Sequence, residues 1–148
     1  DGGISARLVA GDAWGAKSPI ISLSDMFYVD VMLAAGAAIP LPDEHEDRGV
    51  HVMQGEIVVA GQTYSAGQML VFRPGDRMSM KAGEKGARLI LLGGATLEGP
   101  RYIWWNFVAS SKAKIEAAKH DWAAGEWQSG RFQLPADDAD EFIPLPDK

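Results

Sequence analysis

The stretch Gly36-Ala37-Ala38-Ile39-Pro40-Leu41-Pro42-Asp43-Glu44-His45-Glu46-Asp47-Arg48-Gly49-Val50-His51-Val52-Met53-Gln54-Gly55 decides the architecture. An extended arm follows the opening glycine, an acidic run spans Asp43 to Asp47, and Gly49 to Met53 alternates. Val50 and Val52 share one parity while His51 and Met53 share the other, the period of a strand covered on one face. Gln54-Gly55 reads as a turn into a second short strand, Glu56–Val59.

Working outward, Gly and Pro recur at short intervals and the segments between them are strand-sized. The candidate strands are Ile4–Ala10, Met26–Leu33, Gly49–Met53, Glu56–Val59, Gln62–Tyr64, Met69–Arg73, Arg77–Lys81, Ala87–Leu92 and Tyr102–Phe107. Many are β-branched or aromatic, and several alternate. Ala60-Gly61 and Pro74-Gly75-Asp76 are further turn sites. Ala87–Leu92 is almost continuously apolar, which suits a strand covered on both faces. Evenly spaced short strands predict an all-β, antiparallel jelly-roll barrel. One helix follows it: Ser110 or Ser111 can cap a run to about Ala124, and Gly125 suits its left-handed end. Ile115, Ala118 and Trp122 make its apolar stripe. Lys112 and Lys114 oppose the dipole in its first turn, so the helix depends on docking. The organisation expected is a barrel over 1–108 and a helix with an extended tail over 109–148.

Composition narrows the chemistry. The 148 residues are 47% apolar, enough for one globular domain. A net charge of −6 argues against direct contact with nucleic acid and against an anionic membrane surface. There is no cysteine, which removes disulfides, zinc–thiolate sites and thiol nucleophiles and fits a cytoplasmic protein. No apolar run approaches the ~18 residues of a membrane span, and the amino end does not read as a signal peptide. Ser24-Asp25 and Ser110-Ser111 have no neighbouring His in a nucleophile motif, and Gly93-Gly94 is not a phosphate loop.

The opening stretch resembles the first cupin motif, which runs Gly, five residues, His, one residue, His, three or four residues, Glu, six residues, Gly. Counting back from Gly55 puts the Glu position at Arg48 and the two His positions at Glu44 and Pro42. Gly67-Gln68-Met69-Leu70-Val71-Phe72-Arg73-Pro74-Gly75-Asp76 resembles the second motif, whose His would fall near Met78. All four ligand positions, Pro42, Glu44, Arg48 and Met78, are therefore vacated. Proline has no donor, and guanidinium is a permanent cation that repels metal. Alternation turns His51 outward if Arg48 faces in, and by the same parity His45 points away from position 44. Both histidines then read as surface groups beside an acidic loop, and His120 as solvated. Met78 and Met80 share parity and suit an irregular apolar space. Two readings stay open for Glu44 and Arg48: an ion pair within ~4 Å at the barrel mouth, or a solvated acidic rim.

The run Arg101-Tyr102-Ile103-Trp104-Trp105-Asn106-Phe107-Val108, leading into Lys112–Trp122, is the most distinctive. Read as one strand, it sets Tyr102, Trp104 and Asn106 on one face and Ile103, Trp105 and Phe107 on the other. One of these faces covers the core and the other either the helix or a partner surface. This run, the terminal Glu141-Phe142-Ile143-Pro144-Leu145-Pro146, Ala10–Pro19 and Leu91-Leu92-Gly93-Gly94 together resemble pirin-like proteins, specifically their C-terminal cupin domain. That resemblance implies a two-barrel protein whose metal, usually iron, is held by three His and one Glu of the N-terminal barrel. It also implies quercetin 2,3-dioxygenase activity in some bacterial members and transcriptional co-regulation in others. None of the N-terminal ligands can be carried onto this chain. The expectation is a metal-free half with no cofactor and no catalytic residues of its own, iron belonging only to the absent N-terminal barrel. Its partner would be that second cupin domain or a homo-oligomer partner, docked on Trp104, Trp105, Trp122 and Phe142. The alternative is a stand-alone cupin that binds or transforms a small organic ligand in the barrel mouth.

Overall fold

A computed structural model describes residues 2–138 and 141–146. The chain divides into two compact units, Asp1–Thr96 and Leu97–Lys148. The first carries strands β1 (Ile4–Ala13), β2 (Ala16–Lys17), β3 (Met26–Leu33), β4 (Ala38–Pro40), β5 (Asp47–Val59), β6 (Gln62–Ser65), β7 (Met69–Phe72) and β8 (Ser79–Gly94). All pair antiparallel in one sheet ordered β2-β1-β3-β8-β5-β6, with β4 on β8 and β7 on β5. This is the expected antiparallel cupin barrel.

Segments expected as separate strands are joined here. Gly49–Met53 and Glu56–Val59 belong to β5, which runs through Gln54-Gly55 with register shifts on either side. Gly55 is thus a bulge and not a turn. It has φ 73°, and a Cβ there would lie 2.2 Å from the Gly86 carbonyl oxygen. Arg77–Lys81 and Ala87–Leu92 likewise overlap the long strand β8. Ala60-Gly61 makes the two-residue hairpin turn between Val59 and Gln62, both residues with positive φ, as right-handed strand twist requires.

The core is the inward parity of these strands. Phe27, Val29 and Val31 of β3, Val50 and Val52 of β5, Met80, Leu89 and Leu91 of β8 are fully buried. Ile90 and Leu92 on the other parity of β8 are only half-buried, so that strand is fully covered on one face alone.

In the second unit, β9 (Tyr102–Trp104) and β10 (Phe107–Ala109) pair, among the described residues, only with each other, followed by helix α1 (Lys112–Ala124). Tyr102–Phe107, expected as one barrel strand, is therefore a hairpin. Trp105 adopts φ 50° at its turn, which breaks the alternation counted through it. The aromatic segment falls in the same compact unit as the helix, and the chain divides between Thr96 and Leu97, whereas the sequence placed a boundary after 108. The helix itself is as expected: the Ser111 hydroxyl accepts from the Lys114 amide, Gly125 closes it at φ 68°, and Ile115 and Ala118 are buried. In the acidic run near the carboxyl end, Ala139 and Asp140 lie outside the described residues.

Candidate functional site

Strand β5 enters the barrel with Arg48, Val50 and Val52 facing inward, and Arg48 is 3% exposed. Its register neighbours are Phe72 on β7 and Gly93 on β8. Gly93 is required by close approach: a Cβ there would meet the Asp47 carbonyl oxygen at 2.1 Å and the Phe27 ring at 2.5 Å. The guanidinium ends among main-chain carbonyls. Nη1 donates to the oxygens of Asp76 at 2.7 Å and Pro42 at 3.4 Å, and Nη2 donates to that of Arg73 at 3.0 Å. Nε is buried with no hydrogen-bond partner among the described residues.

Arg48 thus ties the Pro42 arm to the Arg73–Asp76 turn, whose own Asp76 amide donates to the Arg73 carbonyl at 3.2 Å. Both segments come from the two vacated motifs. A buried cation is costly unless its donors find partners, and carbonyl dipoles supply them here for Nη1 and Nη2, without a carboxylate.

The Glu44–Arg48 ion pair is not formed: no carboxylate lies within 4.0 Å of the guanidinium among the described residues. Glu44 is exposed and its Oε1 accepts from the Trp14 amide at 2.7 Å. The reason is local. Residues 41–46 are not strand, so parity cannot aim Glu44 at the interior.

The same failure applies to His45, expected at the surface. Its side chain is 7% exposed and stacks on Phe27, ring centroids 5.4 Å apart and planes at 21°. Its Nε2 lies 3.8 Å from Asp12 Oδ2, too long for a hydrogen bond, and has no other partner among the described residues. His51, on regular strand, does face outward with its Nδ1 3.1 Å from Met53 Sδ, and His120 is exposed.

Pro42 and Met80 are fully buried, while Met78 is half-buried against the core. The mouth positions therefore hold a ring without a donor, a cation already bonded to carbonyls, a carboxylate turned to a backbone amide and a thioether. That donor set does not fit iron, which needs several imidazole and carboxylate groups converging on one point. No group of three or more His, Asp or Glu side chains converges among the described residues.

The residues expected as a docking surface are placed differently from one another. Trp104, Trp105 and Trp122 are half-buried and pack on one another and on Phe107, with centroids 5.4–6.3 Å apart. Trp122 also donates from Nε1 to the Ile143 carbonyl at 3.0 Å. Phe142 is 50% exposed and its ring meets that of Trp127 at a centroid distance of 4.6 Å. The sequence missed Trp127 and Phe132, although both are aromatics just beyond the helix end.

On the barrel's outer surface the Arg88 guanidinium grips Asp30 with both arms, at 3.0 and 2.8 Å. That hydrogen bonding holds the Asp30 carboxyl below its ordinary value and raises Arg88.

Comparison with known proteins agrees with the fold. The family model of the pirin C-terminal cupin domain matches residues 28–132. A pirin-like protein of Caulobacter vibrioides is 46% identical over 147 residues, covering 99% of this chain and 49% of that protein. A Pseudomonas aeruginosa protein described as a putative quercetin 2,3-dioxygenase is 29% identical over 132 residues, covering 88% of this chain and 42% of its own length. A crystal structure of quercetin 2,3-dioxygenase from Acinetobacter baumannii superposes with a TM-score of 0.75 at 26% identity, covering 86% of this chain and 45% of that one. The chain spans about half the length of the relatives it matches. No helix among the described residues is long and apolar enough to cross a membrane.

Proposed function

The chain belongs to the pirin family as a C-terminal cupin domain, and from that premise we propose that it is the metal-free, structural half of a two-barrel protein. Iron and any quercetin 2,3-dioxygenase-type activity would belong to the other half. The observation that carries this reading is Arg48, a buried cation held by three carbonyls at the motif position where a metal barrel needs a carboxylate. Its partner would be a second cupin barrel or another copy of the chain. Contact would be made by the C-terminal unit through Phe142 and the rim of the Trp104, Trp105 and Trp122 cluster. Ile103 and Ile143 add to that apolar surface, being 73% and 66% exposed. We place the protein in the cytoplasm, in keeping with its lack of cysteine.

The stand-alone alternative, a small ligand taken into the barrel mouth, has less room, because Arg48, Pro42 and Met80 occupy the interior there.

Elemental analysis of the purified chain after exposure to iron, copper and nickel tests the metal-free reading. Metal far below one equivalent is expected, and near-stoichiometric metal would overturn it. Mixing the chain with the separately expressed remainder of the Caulobacter relative tests the docking reading. A stable heterodimer by light scattering supports it, and two non-interacting species count against it.

A further inference from the structure

A cleft in the C-terminal unit, about 610 Å³, has an apolar floor and a cationic rim. Ile115 and Ala118, both buried on α1, form the floor, and Phe107 makes a wall stacked on Phe132 at 5.3 Å and 27°. Arg101, Lys114 and Arg131 line the rim, and no acidic residue lines the cleft among the described residues. This is a local inversion, since the chain carries 20 acidic against 14 basic residues.

The rim cations are differently engaged. Lys114 Nζ rests on the Ser110 hydroxyl at 3.0 Å and has no carboxylate within 4.0 Å among the described residues. Arg101 Nη1 is steadied by the Glu98 carbonyl at 2.7 Å. Arg131 lies 3.7 Å from Asp121, too far for a tight hydrogen bond and exposed, so that pair is weak.

From this geometry we infer a binding site for a small organic anion with a flat apolar body, an aromatic carboxylate in chemical class. The volume falls within the range of small-molecule sites, roughly 300–1,000 Å³. Stacked phenyl rings and aliphatic floor accept a planar body, and the rim supplies the counter-charge that selects an anion over its neutral isostere. The inference does not rest on the proposed second barrel or on iron, so it stands or fails separately from that function.

Calorimetric titration of the full chain with naphthoate, with neutral naphthalenemethanol and with acetate is the test. Naphthoate should bind at one site per chain, with the alcohol and acetate each at least about tenfold weaker, the size of one lost charge-assisted contact. Lys114→Glu and Arg131→Glu should each weaken naphthoate by at least about tenfold while Lys17→Glu on the barrel changes nothing. Both rim residues are exposed, so unchanged circular dichroism is expected to show that the variants remain folded. Amide shift changes on adding naphthoate should gather on 106–118 and 131–132. The inference is overturned if naphthoate does not bind, if the alcohol binds as well as the acid, if the rim variants bind like the wild type, or if the shifts gather elsewhere.

Discussion

Inside the barrel one guanidinium is held by three main-chain carbonyls, whereas in the C-terminal unit seven aromatic rings hold one another. The barrel region has an apolar core with one buried cation near its mouth, enclosed by long strands of fixed direction. Its geometry is set by a ladder, and a single side chain then joins two loops. The C-terminal unit has little regular structure, a three-residue hairpin pair and one helix, and its stability rests on edge-to-face ring contacts around Trp122. Directional bonds in a dry interior are individually expensive to lose. Ring contacts are individually modest and collectively large.

The strongest way to break this comparison is Arg48→Ala. It removes the donors to three carbonyls, one of them buried and two part-buried, and leaves a cavity, and a loss of about 3–4 kcal/mol is expected from urea unfolding at neutral pH. Arg48→Met refills the space but not the bonds and should recover part of that loss. If the two variants unfold alike, the cavity is not what costs stability and the carbonyl bonds are.

Phe107→Ala removes a ring that touches Trp104, Trp105, Trp122 and Phe132. About 2–3 kcal/mol should be lost, since the ring is only half-buried. Near-ultraviolet circular dichroism should collapse while the far-ultraviolet sheet signal persists. Simultaneous loss of both signals would show that the two units unfold together.

Ser111→Ala removes the hydroxyl that accepts from the Lys114 amide at 3.3 Å, and about 1 kcal/mol is expected from the same unfolding measurement. The helix lacks acidic residues in its first turn and basic residues in its last, so nothing local offsets that loss.

The smallest effect belongs to Asp30→Asn, because the Asp30–Arg88 pair lies on the outer surface. Asp30 is held below its ordinary 3.8, so its contribution is complete above that value and vanishes as pH falls through the lowered one. The urea midpoints of wild type and variant should therefore differ slightly at neutral pH and converge below 3.8. A gap that persists in acid would show that the carboxylate charge is not its source.

The sequence by itself determined the barrel, the pirin resemblance, the helix with its Gly125 end and an N-cap at Ser110 or Ser111, and the shared parity of Arg48, Val50 and Val52 opposite His51. Each of these follows from a local rule: alternation along a continuous strand, or a capping residue at a helix end. Only the tertiary structure decided what Arg48 bonds to, because its acceptors are carbonyls of Pro42, Arg73 and Asp76, and every residue has a carbonyl. The structure alone also turned Glu44 to Trp14, buried His45 on Phe27 and folded Trp104-Trp105 into a hairpin. In each of those places the backbone leaves the strand conformation, and alternation stops predicting where a side chain points.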